Sequence, residues 1–313
     1  MEATETRPPF RDQLQSGWDK GKFLCVGLDP DWSKIPQHLK NEFPSDDEKY
    51  AAITIFARTI IDHTGDLVCA YKPNIAFYED SANNELALSS IVDHIHESFS
   101  DVPIIGDVKR ADIGNTNKGY AKMAFERYGF DAITTNPYFG GDTFPPFQAY
   151  ENKGLIVLCR TTNPGSKELQ DMPIHLDFAK GEGLLTAEEL RIIRSITPGL
   201  YVMRVYEMVA FLAARRWNTN DQLGLVVGAT HPEAFAPVRQ LAGDLPFLIP
   251  GIGTQGGDLE KTLKYAPDSK RQGMIINSGS AIIHASQGED FAEAARAAAL
   301  KLDKQIREGL QIA

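Results

Sequence analysis

The sequence contains few cysteines and no arrangement of residues typical of a metal site. Its three cysteines, Cys25, Cys69 and Cys159, each lie inside an apolar run. This context indicates small buried side chains rather than disulfides or zinc ligands. The seven histidines are scattered, and none belongs to an HExxH pair. We therefore expect neither a disulfide framework nor a metal site.

Positive charge and long apolar runs are also scarce. Lysine and arginine total 32 against 42 aspartate and glutamate residues, which gives a net charge of −10. Binding to nucleic acid requires a basic surface, so no nucleic-acid partner is expected, although a basic pocket for a small anion stays open. No run approaches 18 apolar residues, and the first residues lack a basic-then-apolar signal pattern. These features predict a cytoplasmic protein with no membrane partner.

Short apolar runs closed by polar residues or glycine predict eight β-strands. They cover residues 23–27, 67–71, 102–107, 132–135, 155–159, 223–227, 246–249 and 274–277. Amphipathic patterns between them predict helices at 51–63, 86–99, 119–128, 204–216, 231–241 and 291–308. The strands are apolar nearly throughout, as strands buried on both faces are. The alternation predicts an α/β fold, with residues 1–313 forming one (β/α)8 TIM barrel.

One connection is longer than a single helix requires. Residues 160–222 separate the fifth and sixth strands. Within them, Thr186 begins a T-A-E-E pattern that is typical of a capping box and predicts a further helix. We interpret residues 177–199 as an insertion over or beside the rim of the barrel. The sequence assigns it no function, and a surface excursion is the simplest interpretation.

The chemistry of such barrels lies at the C-terminal ends of the strands. Asp107 and Lys109 are two residues apart, so strand alternation predicts that they face the same side. Lys72 follows the preceding strand, and Asp112 follows Lys109, which together predict an alternating Lys–Asp array. A structural ion pair in a strand–helix turn is the alternative. The second lysine favours function, because buried charge arrays are costly to assemble.

A second motif, P-G-I-G-T-Q-G-G-D at residues 250–258, follows the seventh strand. Glycine allows the backbone to approach an anion closely, and barrels often hold phosphate beside strands seven and eight. The motif indicates an anion site, with a plain tight turn as the alternative.

These motifs together resemble the orotidine 5′-phosphate decarboxylase family. The resemblance rests on the D-x-K-x-x-D pattern at 107–112, the opening residues 26–30, the Lys72 strand and the loop at 250–255. The stretches 71–78, 112–120, 135–142, 161–166 and 224–232 resemble its bacterial second subfamily. The likeness runs from residue 23 to residue 302, apart from the insertion. It implies cofactor-free decarboxylation of the nucleotide orotidine 5′-monophosphate to uridine 5′-monophosphate, in de novo pyrimidine synthesis.

The resemblance also implies a role for each matching residue. Asp107 would lie near the substrate carboxylate, and Lys109 would protonate the carbon that loses carbon dioxide. Lys72 would join this catalytic set and would also hold ribose hydroxyls. Asp112 would reach into the neighbouring subunit's site, which implies a homodimer with shared active sites. The implied substrate-binding residues are Asp29 for ribose, Ile113 and Thr116 from the neighbouring subunit, Thr162 for the pyrimidine, Gln255 between phosphate and base, and Gly253, Gly279 and Ser280.

One position departs from the family pattern. After the eighth strand the family has Asn-Ser-Ser-Arg, whose arginine binds the phosphate, whereas this chain has Asn-Ser-Gly-Ser at 277–280. A charged hydrogen bond contributes about 1.5–3 kcal/mol, so its loss weakens phosphate binding roughly ten- to a hundred-fold. Ser280 leaves open a weakened phosphate grip, a paralogue acting on an unphosphorylated or modified pyrimidine nucleoside, and an engineered change.

Two further classes of function remain. A non-catalytic nucleotide-binding barrel is opposed by the complete Lys–Asp set. Sugar-phosphate enzymes such as hexulose-phosphate synthase share D-x-K-x-x-D but usually need magnesium, and the matches around Thr162 and Gln255 argue against them.

Overall fold

The computed structural model describes residues 7–79 and 83–312, and its centre is a parallel eight-stranded sheet. The strands of this sheet are β1 (Leu24–Leu28), β2 (Val68–Pro73), β3 (Ile105–Arg110), β4 (Ala132–Thr135), β5 (Gly154–Arg160), β8 (Leu223–Val227), β9 (Phe247–Ile249) and β10 (Met274–Ser278). Each corresponds to one predicted run. Two short strands, β6 (Pro173–His175) and β7 (Val202–Arg204), form a separate antiparallel pair.

The sheet closes into a barrel. Its order is β2-β1-β10-β9-β8-β5-β4-β3, and bridges from Tyr71 to Ile104 and from Asn74 to Asp107 join the two outer strands. The strands bury both faces, since β1, β2, β4, β8, β9 and β10 consist wholly of buried residues. The predicted (β/α)8 TIM barrel is confirmed.

Helices surround the barrel and cover its outer face. They are α1 (Phe10–Asp19), α2 (Gln37–Glu42), α3 (Lys49–Thr64), α4 (Asn84–Ser98), α5 (Gly114–Lys122), α6 (Pro145–Gln148), α7 (Lys167–Gln170), α8 (Leu176–Gly181), α9 (Ala187–Ile196), α10 (Val205–Leu212), α11 (Phe235–Ala242), α12 (Leu259–Tyr265), α13 (Ser280–Ile283) and α14 (Phe291–Leu310). Helices α5 and α10 continue into π-helical segments at Met123–Arg127 and Ala213–Trp217. In the part of the chain that the structure covers, no helix is long and apolar enough to cross a membrane.

The sequence did not predict helix α1, which lies against the N-terminal ends of the strands. Its buried face carries Phe10, Leu14 and Trp18, and the indole of Trp18 donates to the Met274 carbonyl at 2.8 Å. A Cβ at Gly154 would lie 2.2 Å from the Phe10 ring, so only glycine permits this packing at the start of β5. Helix α1 thus covers one end of the barrel and leaves the other for the site.

The long connection between β5 and β8 contains more structure than expected. The capping box at its helix α9 is confirmed, because Glu189 N–H donates to the Thr186 hydroxyl at 3.1 Å and Thr186 N–H donates to the Glu189 carboxylate at 2.8 Å. Arg216 pairs with Glu189 and ties this helix to the segment after α10. The antiparallel pair of β6 and β7 was not predicted, and residues 177–199 as the bounds of an insertion stay a prediction.

Candidate active site

A cavity of about 220 Å³ opens at the C-terminal ends of the barrel strands. It is lined by Asp29, Lys72, Asn74, Asp107, Lys109, Thr134, Leu158, Thr161, Thr162, Val226, Leu248, Pro250, Gln255 and Asn277. Six of the predicted site residues are therefore in one place: Asp29, Lys72, Asp107, Lys109, Thr162 and Gln255. The remaining cavity residues include four apolar side chains, which provide a surface for a flat ring.

A carboxylate with two ammonium partners forms the charged centre of the cavity. Lys72 donates to Oδ2 of Asp107 at 2.9 Å, and Lys109 donates to Oδ1 at 2.6 Å. The hydroxyl of Thr134 also donates to Oδ1, at 2.8 Å. The side chain of Lys72 is 5% exposed, whereas that of Lys109 is 49% exposed. Both lysines line the cavity, but Lys109 is the ammonium that an entering molecule can reach more freely.

The mutual attraction of these charges outweighs the cost of burying them. Burial alone would raise the pKa of Asp107, but Lys72 and Lys109 hold the pKa of this carboxyl well below its usual range. Burial alone would lower the pKa of Lys72, but attraction to Asp107 and Asp29 raises it above the usual lysine value. At neutral pH Asp107 is therefore an anion without a proton to donate, and Lys72 is an ammonium.

The backbone at Lys109 departs from regular strand geometry. Strand alternation predicts that Lys109 and Asp107 face the same side, but Lys109, within β3, has φ of 46°, and the register with β4 shifts between Gly106 and Arg110. The two side chains are in contact as predicted, but regular alternation alone does not account for the contact.

Asp29 follows β1 and lines the cavity. Its Oδ1 accepts from the N–H of Asn74 at 3.2 Å, which links the end of β1 to the end of β2. A Cβ at Gly27 would lie 3.1 Å from the Gly279 backbone, so the end of β10 lies close beside it. Burial raises the pKa of the Cys25 thiol beneath these residues to about 12, so the thiol is neutral.

Thr162 and Gln255 both lie beside Gly251 at a glycine-rich edge of the cavity. A Cβ at Gly228 would lie 2.6 Å from the Thr162 methyl group, and Gly251, with φ of 101°, would place one 3.3 Å from Oε1 of Gln255. The predicted residues Gly253, Gly279 and Ser280 are not among those lining the cavity. Ser280 is the first residue of α13. Among the described residues that line the cavity, the cations are Lys72 and Lys109, and both pair with Asp107.

Asp112 does not join the charged centre of its own chain, contrary to the single buried array considered from the sequence. Its Oδ1 accepts from the N–H of Ile113 at 2.6 Å, and α5 begins with Gly114 at φ of 51°. This turn carries the chain away from the cavity. Ile113 is 61% exposed and Thr116 is also exposed. The three residues at 112, 113 and 116 lie together on the rim, outside the cavity of this chain.

Several residues that line the cavity were not identified from the sequence. Thr134 and Asn74 stand next to the ends of β4 and β2, where the same rule that selected Lys72 could have found them. Leu158, Val226 and Leu248 have no polar signal in the sequence, because their inward direction depends on the register of the closed barrel. Within residues 7–79 and 83–312, no group of three or more His, Cys, Asp or Glu side chains is arranged to hold a metal ion.

A larger groove of about 880 Å³ lies at the opposite end of the barrel, beside Arg7, Gln148, Glu151 and Thr219. We assign the site to the smaller cavity, because that one contains the coupled charges and stands at the C-terminal end of the strands.

A closed barrel with a Lys–Asp–Lys centre at its C-terminal end defines the chain as a (β/α)8-barrel protein with a charged site. The model of the "Orotidine 5′-phosphate decarboxylase / HUMPS family" matches residues 22–175. Over 298 residues the chain is 45% identical to orotidine 5′-phosphate decarboxylase from Cupriavidus metallidurans, covering 95% of this chain and 97% of that protein. The corresponding enzyme from Ralstonia pickettii is 43% identical over 300 residues, covering 96% and 98% of the two chains.

Solved structures show the same likeness. The structure of Leishmania donovani OMP decarboxylase aligns with a TM-score of 0.75 at 33% identity, covering 97% of this chain and 100% of that one. The chain belongs to the orotidine 5′-phosphate decarboxylase family.

Proposed function

We propose that this chain is a carboxy-lyase that converts orotidine 5′-monophosphate to uridine 5′-monophosphate and carbon dioxide, in pyrimidine synthesis. The observation that carries the proposal is the Asp107 carboxylate between two lysines in the cavity, in a chain whose family relatives bear that activity in their names.

The electrostatics of the centre suit a reaction in which negative charge moves from a carboxylate to carbon. A substrate carboxylate next to Asp107 would meet an anion that stays ionised, which disfavours the bound starting state. As the bond from C6 of the pyrimidine to the carboxyl carbon breaks, its electron pair stays on C6 and carbon dioxide leaves. The Lys109 ammonium favours this developing charge more than the original carboxylate, which lowers the barrier.

Lys109 is the proton donor in this proposal. Asp107 holds no proton at neutral pH, and the Lys72 side chain is buried with a raised pKa. Lys109 is half-exposed and borders the same cavity, so its proton can pass from Nζ to C6. The neutral amine that remains then takes a proton from water.

The surrounding residues would bind the rest of the nucleotide. Asp29 would accept hydrogen bonds from the ribose hydroxyls, and Lys72 would donate a hydrogen bond to them. Thr162 would contact the pyrimidine. Gln255 would lie between base and phosphate, with Gly253, Gly279 and Ser280 at the phosphate. The apolar side chains of the cavity favour a planar ring over a wholly polar sugar phosphate.

The direct test follows the ultraviolet absorbance of orotidine 5′-monophosphate with purified protein and a chelator. We expect loss of substrate, formation of uridine 5′-monophosphate and no effect of the chelator. A folded protein that binds the nucleotide without turnover would instead favour the non-catalytic barrel. Dependence on magnesium would favour a sugar-phosphate enzyme.

We also propose a homodimer in which each site takes Asp112, Ile113 and Thr116 from the partner chain. Their position on the rim, outside their own cavity, supports this proposal. The test mixes two inactive variants, Asp112→Asn and Lys109→Ala, under conditions that exchange subunits. In the mixed dimer one site has both residues intact, so activity should return to about a quarter of the native value at statistical mixing. No return of activity despite exchange contradicts shared sites.

Ser280 favours one second candidate, a related decarboxylase for an unphosphorylated or modified pyrimidine nucleoside. Comparing orotidine with its 5′-phosphate as substrates separates the two, and a large preference for the phosphate rejects the second. The acidic net charge supports a small-molecule partner rather than nucleic acid, and we propose a cytoplasmic location for this activity.

A further inference from the structure

We propose that Thr134 is a positioning residue for the reaction, whose hydroxyl holds the Asp107 carboxylate and the backbone of Lys109 in their working arrangement. The inference rests on the proposed function for its catalytic consequence, but the positioning itself can be tested without turnover.

Thr134 bonds to both members of the Asp107–Lys109 pair at once. Its hydroxyl donates to Oδ1 of Asp107 at 2.8 Å and accepts from the N–H of Lys109 at 3.0 Å. A hydroxyl has one proton to donate and lone pairs to accept, so a threonine or serine at this position satisfies both groups simultaneously. Thr134 is 1% exposed, so water does not replace either bond at low cost.

The bond to the Lys109 N–H matters because the backbone of Lys109 is in an unfavourable region. A φ of 46° costs a non-glycine residue roughly 1–2 kcal/mol unless the surroundings compensate. The register shift between β3 and β4 removes the regular sheet partner of this N–H, and Thr134 from β4 takes its place. The hydroxyl therefore supports the unfavourable backbone conformation of Lys109, whose ammonium lines the cavity.

The bond to Asp107 fixes the direction of the carboxylate. Oδ1 receives both the Lys109 ammonium and the Thr134 hydroxyl, whereas Oδ2 receives Lys72. The ionisable groups that face Asp107 are Lys72 from β2, Lys109 from β3, Asp29 after β1 and the buried thiol of Cys25 from β1. Without the Thr134 hydroxyl, the carboxylate could rotate between its two ammonium partners, and a donor that favours the anion would be lost.

Thr135 provides a matched control. It is the next residue on β4, it is 0% exposed, and its hydroxyl donates to the Arg110 carbonyl at 2.8 Å. Replacing it with valine also deletes one buried hydrogen bond to the end of β3. It does not remove a contact to Asp107 or to the Lys109 N–H.

The experiment compares Thr134→Val, Thr134→Ser and Thr135→Val with the native chain. We expect Thr134→Val to lower kcat about ten- to a hundred-fold, the range for one hydrogen bond to a charged group, while uridine 5′-monophosphate affinity changes less than about three-fold. Thr134→Ser should restore kcat to within about five-fold of the native value. Thr135→Val should leave kcat within about three-fold of the native value, because it removes no hydrogen bond to Asp107 or Lys109. If valine prevents folding, Thr134→Ala against Thr134→Ser gives the same comparison, because the two differ by one hydroxyl.

A second readout does not depend on turnover. Because the Thr134 hydroxyl accepts from the Lys109 N–H, hydrogen exchange of this amide at neutral pH should be faster in Thr134→Val than in the native chain, and unchanged in Thr135→Val. Equal loss of kcat in the two valine variants, or unchanged exchange of the Lys109 amide in Thr134→Val, overturns the proposal. If the native chain proves inactive on orotidine 5′-monophosphate, the proposed function fails, and the exchange measurement still decides the positioning.

Discussion

Replacing Lys109 with alanine separates the contribution of this side chain to catalysis from its contribution to stability. The ammonium lies 2.6 Å from Asp107, but its side chain is 49% exposed. An ion pair of this exposure contributes about 0–1 kcal/mol, and Asp107 keeps Lys72 and Thr134 as partners. We therefore expect Lys109→Ala to lower the free energy of unfolding by no more than about 1 kcal/mol.

The effect on catalysis should be far larger. General acid catalysis contributes typically about 10²–10⁴-fold, and one preorganised charged donor contributes about 10²–10³-fold. Even the lower values combine to a loss of about 10⁴-fold in kcat, or about 5.5 kcal/mol in activation free energy. Steady-state kinetics and denaturant unfolding of the same preparation measure the two quantities.

Two further variants sharpen this comparison. Lys109→Gly should be just as inactive but about 1 kcal/mol more stable than Lys109→Ala, since glycine adopts a φ of 46° without strain. Lys301→Ala, at an exposed position of α14, controls for the loss of a lysine. Near-native activity of Lys109→Ala would refute Lys109 as proton donor. A loss of stability above about 3 kcal/mol would support the structural ion pair instead.

Three other substitutions test separate parts of the molecule. Ser280→Arg should lower the KM for orotidine 5′-monophosphate at least about ten-fold without affecting orotidine, because a guanidinium can pair with phosphate in a bidentate manner; steady-state kinetics showing no gain would favour the nucleoside enzyme. Asp131→Asn should cost about 3–5 kcal/mol in denaturant unfolding at neutral pH, because the buried Asp131 pairs with Arg7 and Lys153. Burial alone would raise the pKa of Asp131, but His96, Lys153 and Arg7 hold this pKa below its value in the unfolded chain. The free energy of unfolding of the native chain should therefore fall as the pH drops below about 4. A parallel fall in Asp131→Asn would contradict this origin. Thr186→Ala should weaken α9 by about 1 kcal/mol in hydrogen exchange without changing kcat, whereas a loss of kcat would connect the β5–β8 connection to catalysis.

The charged centre was found from the sequence because its residues immediately follow apolar strands. Lys72 follows the apolar run at 67–71 and Asp107 closes the run at 102–107, and parallel strands in a closed barrel bring their C-terminal ends to one rim. The order of such runs is a property of the chain alone. Thr162 and Gln255 were identified through the family resemblance and also line the cavity.

Other features depended on contacts between distant segments. Helix α1 has ten residues, and its position depends on packing Phe10 against Gly154, which is 144 residues later by their numbering. In the antiparallel pair of β6 and β7, β6 is mostly exposed, so it lacks the apolar alternation by which strands are recognised.

The amino-acid sequence by itself determined the eight strands, the closure they imply and the cluster of lysine and aspartate at one rim, because local periodicity and strand-end position specify them. Only the tertiary structure decided which residues complete the centre. The positive φ at Lys109 and the two bonds of Thr134 occur where β3 shifts its register against β4. Such a shift is set by the energy of pairing two strands rather than by either strand alone, so neither segment encodes it separately.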